Sequence, residues 1–242
     1  MRSACSSRPP RPPTDPRRYI IESVNSLAPS IDHVISRTYR CIFVHIPKTG
    51  GTSIENLVWP GPRTTAELWM GFVDKYHNKY QTGGLQHLLA TQIRTEVGSE
   101  MFARYYKFSI VRNPWDKAVS QFSSMETRAD LRDFLGMKSG APFNKYLELI
   151  AKKKHVQWEP QVNFLQGENG ESLVDYVGRF EGFAESVLHV LNKIGVSAKS
   201  IPHENASRRG PYQEYYDSES REMITAMYGR DIEAFGYRFE GS

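Results

Sequence analysis

The chain has 242 residues, of which 39% are hydrophobic and 12% aromatic, so it can bury one full hydrophobic core. Its formal net charge of +4 arises in residues 1–18, where five arginines accompany one aspartate, and the remainder is formally neutral. Without a general excess of positive charge, the sequence predicts no nucleic-acid partner. The two cysteines, Cys5 and Cys41, are too few for a disulfide framework, which excludes the class of small disulfide-rich domains.

The N-terminal segment differs in composition from the rest of the chain. Residues 1–18 are rich in Arg, Pro and Ser and predict a disordered basic tail, which leaves residues 19–242 as a single domain. Scattered apolar positions over Tyr19–Ile35 predict a short helix. The chain has no apolar run long enough for a membrane span and no apolar signal-peptide centre near its N-terminus, so we expect a soluble, cytoplasmic protein.

A first motif joins a strand to a helix through a glycine-rich loop. Cys41–Ile46 is apolar and β-branched and predicts a buried strand, which breaks at Pro47 before helical spacing resumes at Ile54. Two adjacent glycines in the loop allow a tight turn and a close backbone approach to a ligand. Thr52 and Ser53 stand where hydroxyls meet the free amides of a first helical turn. Such a corner binds anions.

Helical spacing predicts the elements that follow this loop. The predicted helices before the next strand are Ile54–Trp59, Thr64–Tyr80, Leu88–Val97 and Glu100–Tyr106. Gly98 ends the third of them, as glycine commonly does at a helix C-terminus.

A second motif again leads from a strand into a helix. Lys107–Val111 predicts a strand, an Asn-Pro pair ends it, and Trp115–Thr127 predicts a helix. Arg112 stands at the carboxyl end of the strand, where its planar guanidinium can grip a phosphate. Ser120 lies two helical turns further on, within reach of the same group.

The remaining pattern indicates the fold class. It predicts helices over Pro142–Lys154, Phe183–Ile194 and Ser218–Phe235, and a third strand over Ser172–Phe180. Strands separated by helices predict an α/β fold with a central parallel sheet flanked by helices. Binding sites in such sheets gather at the carboxyl ends of the strands, which is where Lys48 and Arg112 fall.

The position of the lysine distinguishes the first loop from a Walker A loop. A Walker A loop has its lysine after the last glycine, and no Gly-Lys pair occurs in this chain. Pro-Lys-Thr-Gly-Gly-Thr-Ser at residues 47–53 instead resembles the 5′-phosphosulfate loop of sulfotransferases that use 3′-phosphoadenosine 5′-phosphosulfate (PAPS). The resemblance is to the family-2 type, related to uronyl 2-O-sulfotransferases and bacterial carbohydrate sulfotransferase-like proteins. The second motif resembles the 3′-phosphate site of the same family.

The resemblance implies a P-loop-like three-layer fold, PAPS as co-substrate and no metal. It assigns Lys48 to stabilising the departing phosphate. A segment at residues 202–212 resembles the family's C-terminal nucleotide loop, in which Arg208 or Arg209 supplies a second cation. The implied nucleotide-binding residues are Lys48, Thr49, Gly50, Gly51, Thr52, Ser53, Arg112, Ser120, Arg208 and Arg209. The chain departs from many members at Lys117, where they carry a second arginine.

The catalytic base has two candidates. His87 matches a histidine that members of the family often carry between the two phosphate motifs, and histidine suits proton abstraction near neutral pH. Glu55, one turn into the helix after the first loop, is the rival. His45 lies on the predicted strand and is expected to pack inside. None of the seven histidines pairs with a cysteine or another histidine at ligand spacing, so no metal is indicated.

The resemblance therefore predicts sulfuryl transfer to a small-molecule acceptor, with a saccharide hydroxyl suggested by family analogy. Two other functions stay open at this stage. One is a non-catalytic nucleotide-binding protein of the same fold. The other is a P-loop kinase, which the missing Gly-Lys pair disfavours.

Overall fold

The computed structural model describes residues 34–59, 87–197 and 209–240, which all fall in the compact unit Asp32–Ser242. The predicted tail at residues 1–18 and the predicted helix over Thr64–Tyr80 lie outside the described residues, as does most of Tyr19–Ile35. None of the described helices combines the length and the apolar composition that a bilayer crossing requires.

The described strands form one sheet in the order β1-β2-β3-β4. Their bounds are Ile35–Ser36 for β1, Cys41–Phe43 for β2, Tyr106–Val111 for β3 and Tyr176–Arg179 for β4. Strands β2, β3 and β4 run parallel, whereas β1 is antiparallel to β2. Strand β2 is buried along its whole length and β3 after its first residue, as is typical of parallel strands that are covered on both faces.

Helices lie between the parallel strands and after them, so the predicted α/β class with a central parallel sheet flanked by helices is confirmed. The described helices are α1 (Gly51–Val58), α2 (Ala90–Val97), α3 (Ser99–Arg104), α4 (Pro114–Ser124), α5 (Ala129–Leu135), α6 (Phe143–Ala151), α7 (Gln161–Leu165), α8 (Phe183–Ile194) and α9 (Ser218–Phe235). Short 3-10 turns occur at Val156–Trp158 and Tyr212–Tyr215.

Strand β1 corrects the expectation of a helix ending at Ile35. Ile35 pairs with Ile42, and the Phe43 amide donates to the Val34 carbonyl at 2.7 Å. The indole of Trp59 also donates to the Ile35 carbonyl, at 3.1 Å. Hydrogen bonds to β2 and to Trp59, which follows α1, therefore determine the extended backbone conformation at Ile35, and they override the local spacing of apolar residues.

Strand β2 is shorter than the predicted Cys41–Ile46. The Val44 amide still donates to the Phe108 carbonyl at 2.9 Å. Beyond it, the Ser109 hydroxyl donates to the Val44 carbonyl at 2.6 Å and takes the place of a backbone partner. The chain thus leaves the sheet before Pro47 and enters the glycine-rich loop while remaining buried.

A series of buried side-chain hydrogen bonds fixes the end of β3. The Gln161 amide group bonds both backbone groups of Arg112, accepting from its N–H at 2.9 Å and donating to its carbonyl at 2.8 Å. Asp231, which is fully buried on α9, accepts from the backbone amides of Gln161 and Val162 at 2.8 and 2.9 Å. Helix α9 therefore holds α7, and α7 holds the backbone of Arg112.

We expect Asp231→Ala to destabilise the fold markedly, because it leaves two buried amides without acceptors. A buried donor left unsatisfied costs about 1–3 kcal/mol, so the free energy of unfolding should fall by about that amount for each amide. Urea unfolding measures it. Glu233→Ala, at an exposed position on the same helix, is the matched control and should change stability by about 0.5 kcal/mol or less. Equal effects of the two substitutions would contradict the assignment.

Candidate active site

The loop after β2 contains two residues with left-handed backbone conformation. Lys48 has φ 68° and Gly50 has φ 84°, and α1 begins at the next residue, Gly51. A left-handed conformation costs a residue with a Cβ roughly 1–2 kcal/mol, so the surrounding structure must hold Lys48 in place. A Cβ at Gly50 would lie 2.6 Å from the ring of Phe183, so this position requires glycine for space as well as for conformation.

The hydroxyl groups of the loop do not share one environment. Thr49 is fully buried and its Oγ1 donates to the Ile46 carbonyl at 2.9 Å, so this hydroxyl braces the loop. Ser53 is 2% exposed, whereas Thr52 is exposed. Among the described residues no side chain caps the start of α1, and free amides of this kind are able to bind an anion. Thr49 can take part only through its backbone.

Arg112 joins the second motif to the first. Its Nη1 donates to the Lys48 carbonyl at 2.9 Å, and its Nε donates to Asp116 Oδ2 at 2.7 Å. Its guanidinium stacks on the ring of Phe180, 3.9 Å from the centroid. The two predicted phosphate motifs therefore meet at one edge of the sheet, and neither of these hydrogen bonds uses Nη2 of Arg112.

Asp116 brings a second arginine to this edge. Its Oδ2 accepts from Arg112, while its Oδ1 pairs with Nη2 of Arg209. The Arg209 side chain is 10% exposed, and its Nε is buried without a hydrogen-bond partner among the described residues. Arg208 lies outside the described residues. Arg209, one of the two predicted C-terminal arginines, is joined to Arg112 through this shared carboxylate.

The cations around Lys48 depress its proton affinity. Burial, followed by the positive charges of Arg112, Arg128 and Arg209, lowers the pKa of Lys48 to about 8. Its side chain is half-buried. A dianionic ligand placed among these groups would relieve their repulsion, since opposite charge favours the protonated amine.

Ser120 and Lys117, both on α4, are buried to similar extents. Ser120 is 8% exposed on the helix that follows Arg112. Lys117 is 4% exposed, with its Nζ 5.6 Å from the ring centroid of Tyr228 and 3.5 Å from the Glu159 carbonyl. Burial lowers the pKa of Lys117 to about 8. The Lys117 amine is thus packed against α9 and the segment before α7.

His45 and Glu55 form a buried pair behind the loop. His45 Nδ1 and Glu55 Oε1 share a hydrogen bond of 2.8 Å, and the two side chains are 6% and 1% exposed. The ring of His45 stacks on Phe43 with centroids 5.1 Å apart. His45 packs inside, as expected. The carboxylate of Glu55, the rival base, is held in the interior.

His87 contacts this pair through the ring of His45, with centroids 4.5 Å apart and planes at 62°. Its backbone is left-handed, with φ 62°. Its Nδ1 is buried and has no hydrogen-bond partner in the described part of the chain. Burial, followed by the charges of His45, Arg128, His155 and Lys117, lowers the pKa of His87 well below its usual value. His87 is therefore neutral near pH 7.

Arg128 is a site residue that sequence reasoning missed. Its guanidinium binds Asp130 through two hydrogen bonds of 2.8 and 2.7 Å, and its charge acts on Lys48, His87 and His155. Arg128 lies between α4 and α5, in a segment with no motif. No local signal in the sequence distinguishes it from a solvated arginine, because only the tertiary fold brings it to the loop. Among the described residues, no three His, Cys, Asp or Glu side chains converge as metal ligands.

The stretch of chain that contains the loop, Arg112 and His87 matches a known protein family. A model of the Sulfotransferase family matches residues 32–238. The chain belongs to this family. Membership supports a sulfotransferase activity and implies a sulfonate donor as co-substrate and a small-molecule acceptor.

Individual relatives share less of the sequence. The chain is 28% identical over 107 residues to an uncharacterised protein of Archaeoglobus fulgidus, a match that covers 44% of this chain and 82% of that protein. Among solved structures it is similar to a sulfotransferase from Alicyclobacillus acidocaldarius, with 15% identity and a TM-score of 0.38. That match covers 79% of this chain and 92% of that one.

We expect Gly51→Ala to damage the site, because its Cβ would lie 1.9 Å from Nε2 of His45. Overpacking of this kind costs about 1–3 kcal/mol, which chemical unfolding measures. Gly229→Ala is the matched control, since Gly229 is also helical and nothing lies within 4 Å of a Cβ there. Its free energy of unfolding should stay level or rise by about 0.5–1 kcal/mol. A tolerated Gly51→Ala would mean that His45 is free to move.

Proposed function

We propose that this protein transfers a sulfuryl group from PAPS to an acceptor hydroxyl, with a saccharide as the acceptor class. The observation that carries the proposal is the 2.9 Å hydrogen bond from Arg112 to the Lys48 carbonyl. This bond joins a residue of the candidate 3′-phosphate site to a residue of the candidate 5′-phosphosulfate site at one edge of the sheet. A single nucleotide could therefore contact both residues. The choice of a saccharide is supported by the resemblance of the motifs to carbohydrate sulfotransferases.

The charges of the described residues suit such a donor. Besides burial, the positive charges of Arg112, Arg128 and Arg209 each lower the pKa of Lys48, as repulsion between like charges does. Asp116 and Asp130 offset part of this charge through their pairs with the arginines. The uncapped start of α1 adds amides of the kind that bind phosphate oxygens. In the proposed complex, the loop from Lys48 to Ser53 holds the 5′ end, and Arg112, Ser120 and Arg209 hold the 3′-phosphate.

His87 and Lys48 divide the chemistry between them. His87 accepts the proton of the acceptor hydroxyl while the acceptor oxygen forms its bond to sulfur. The bond between sulfur and the bridging phosphate oxygen breaks, and Lys48 donates a hydrogen bond to that oxygen as negative charge develops on it. The products are a sulfate ester and adenosine 3′,5′-bisphosphate. His87 suits this role because it is neutral near pH 7 and one of its ring nitrogens is unpartnered among the described residues.

Lys48→Ala should slow sulfuryl transfer by about 10²–10³-fold in kcat, the loss that follows removal of one oxyanion donor. Release of adenosine 3′,5′-bisphosphate from PAPS in the presence of saccharide acceptors measures turnover. Lys145→Ala, an exposed lysine of α6, is the control and should leave turnover unchanged. Unaltered turnover in Lys48→Ala would remove the lysine from the mechanism. If the nucleotide raises the melting temperature but no acceptor supports turnover, the protein is a non-catalytic binder of the same fold.

The rate should also fall as the pH rises through about 8. The pKa of Lys48 is lowered to about 8 in the free protein, so the amine is charged below that pH and neutral above it. Because kcat/KM reports the free enzyme, kcat/KM for PAPS should decline about tenfold per pH unit beyond that value. Lys48→Arg keeps its charge over this range and should abolish the decline, at whatever rate it retains. A wild-type profile that stays level to pH 10 would contradict the assignment.

A further inference from the structure

Phe239, near the C-terminus, packs against three aromatic rings that the steps derived so far do not use. The centroid of its ring lies 5.7 Å from that of Trp115, 5.7 Å from that of Tyr212 and 5.4 Å from that of Tyr216. The ring planes cross at 86° to 87°, which is the edge-to-face arrangement that aromatic pairs favour. The guanidinium of Arg221 lies over the Phe239 ring, 3.9 Å from its centroid. Phe239 therefore joins helix α4, helix α9 and the segment that contains the two tyrosines.

Hydrogen bonds connect the same three parts of the chain. The Tyr212 hydroxyl donates to the carbonyl of Phe239, and the Tyr216 hydroxyl donates to the Trp115 carbonyl at 2.8 Å. Nδ2 of Asn113, which is 2% exposed, donates to the carbonyl of the residue before Phe239 at 2.9 Å. The backbone beside the Phe239 ring is thus held to the 3-10 turn and to the residues that begin α4.

The segment that packs on Phe239 begins close to Arg209. Arg209 stands three positions before Tyr212, and a proline between them fixes one backbone dihedral of this connection. The Arg209 guanidinium pairs with Asp116, which directly follows Trp115 in the first turn of α4. Trp115 therefore contacts the ring of Phe239 while its neighbour binds Arg209. With so short a connection, the packing of Tyr212 limits where the Arg209 guanidinium can lie.

The ion pair with Asp116 is not sufficient to fix Arg209 when a ligand is present. Asp116 also binds Arg112, with Oδ2 at 2.7 Å from Nε. A phosphate placed between the two arginines would compete with this carboxylate for both guanidinium groups. The position of Arg209 then depends on how its backbone is held. Within the described part of the chain, that backbone leads directly into the segment that packs on Phe239.

We infer that Phe239 is a positioning residue for the 3′-phosphate site: by holding the two tyrosines against α4, it keeps the Arg209 guanidinium beside Arg112. This inference rests on the proposed function for the identity of the anion. The packing of residues 212–216 concerns the free protein and can be measured without a nucleotide. Loss of the Phe239 ring should weaken recognition of the 3′-phosphate and leave the chemistry at the loop after β2 unaltered.

Phe239→Ala tests this role through a comparison of two nucleotides. Adenosine 3′,5′-bisphosphate and adenosine 5′-monophosphate differ only in the 3′-phosphate, so the ratio of their dissociation constants, measured by calorimetry, isolates the contribution of that group. We expect Phe239→Ala to reduce this ratio by about tenfold and Arg209→Gln to reduce it by about 10–100-fold, the scale of a hydrogen bond to a charged group. The double variant should resemble Arg209→Gln alone, because both changes remove the same contact. In Phe239→Ala, KM for PAPS should rise while kcat stays near the wild-type value.

Phe235→Ala is the matched control. Phe235 is also a half-buried phenylalanine of the C-terminal region, and its ring packs on that of Tyr237 with centroids 6.4 Å apart. This substitution should lower stability without changing the ratio. An unchanged ratio in Phe239→Ala, or additive effects in the double variant, would overturn the inference. If Phe239→Ala does not fold, Phe239→Leu keeps an apolar side chain without the ring and should show the same reduced ratio.

Hydrogen exchange of the free protein separates this inference from the proposed function. The amides of residues 212–216 should exchange about tenfold faster in Phe239→Ala than in the wild type, whereas Phe235→Ala should leave their exchange unchanged. If Phe239→Ala does not alter this exchange, the positioning role is wrong whatever the protein binds. If exchange accelerates but the wild-type protein binds the two nucleotides equally and releases no adenosine 3′,5′-bisphosphate from PAPS, the proposed function and the 3′-phosphate assignment fail, while the packing of residues 212–216 on Phe239 stands.

Discussion

The hydrogen bond from the Arg112 guanidinium to the Lys48 carbonyl is the contact on which the site depends. Lys48 has a left-handed backbone that its Cβ disfavours, and the bond to its carbonyl holds it there. Arg112 is in turn fixed at both ends, with its backbone bonded to Gln161 and its side chain to Asp116 and Phe180. The conformation of the loop after one strand is therefore set by the end of the next strand.

This arrangement has an energetic consequence. The positive charges of Arg112, Arg128 and Arg209 repel that of Lys48, and this repulsion together with the desolvation of the Lys48 amine opposes folding. The carboxylates of Asp116 and Asp130 compensate only in part, since their ion pairs within the described part of the chain are with arginines and not with Lys48. Binding sites are often less stable than the rest of a fold when the ligand supplies the charge that would neutralise them, here negative charge. The lowered pKa of Lys48 reflects its burial and this excess of positive charge. The protonation of the candidate catalytic amine therefore depends on whether an anionic ligand is bound beside it.

Elements with strong local signals could be predicted from the sequence. Helices α8 and α9 have their predicted bounds, because Gly195 and Gly236 end them in the left-handed conformation and the Asp217 side chain caps the start of α9. The meeting of Lys48 and Arg112 followed from the rule that parallel strands present their carboxyl ends at one edge. Pairs assembled by tertiary contacts were beyond sequence reasoning. The bond between His45 and Glu55 and the approach of Arg128 to the loop leave no periodic or compositional trace.

Lys117, which stands where the resemblance leads us to expect a second arginine, has a structural explanation. A guanidinium there would need several acceptors, whereas the buried site offers the face of Tyr228 and the Glu159 carbonyl, which suit a single amine. The Lys117 amine thus lies against Tyr228 and the Glu159 carbonyl. Asp116 instead draws Arg209 from the C-terminal segment to the side of Arg112. Under the proposed function, the second cation for the 3′-phosphate comes from a residue 97 positions further along the chain than Arg112. Recognition of the nucleotide then depends on how the C-terminal segment packs, and not on helix α4 alone.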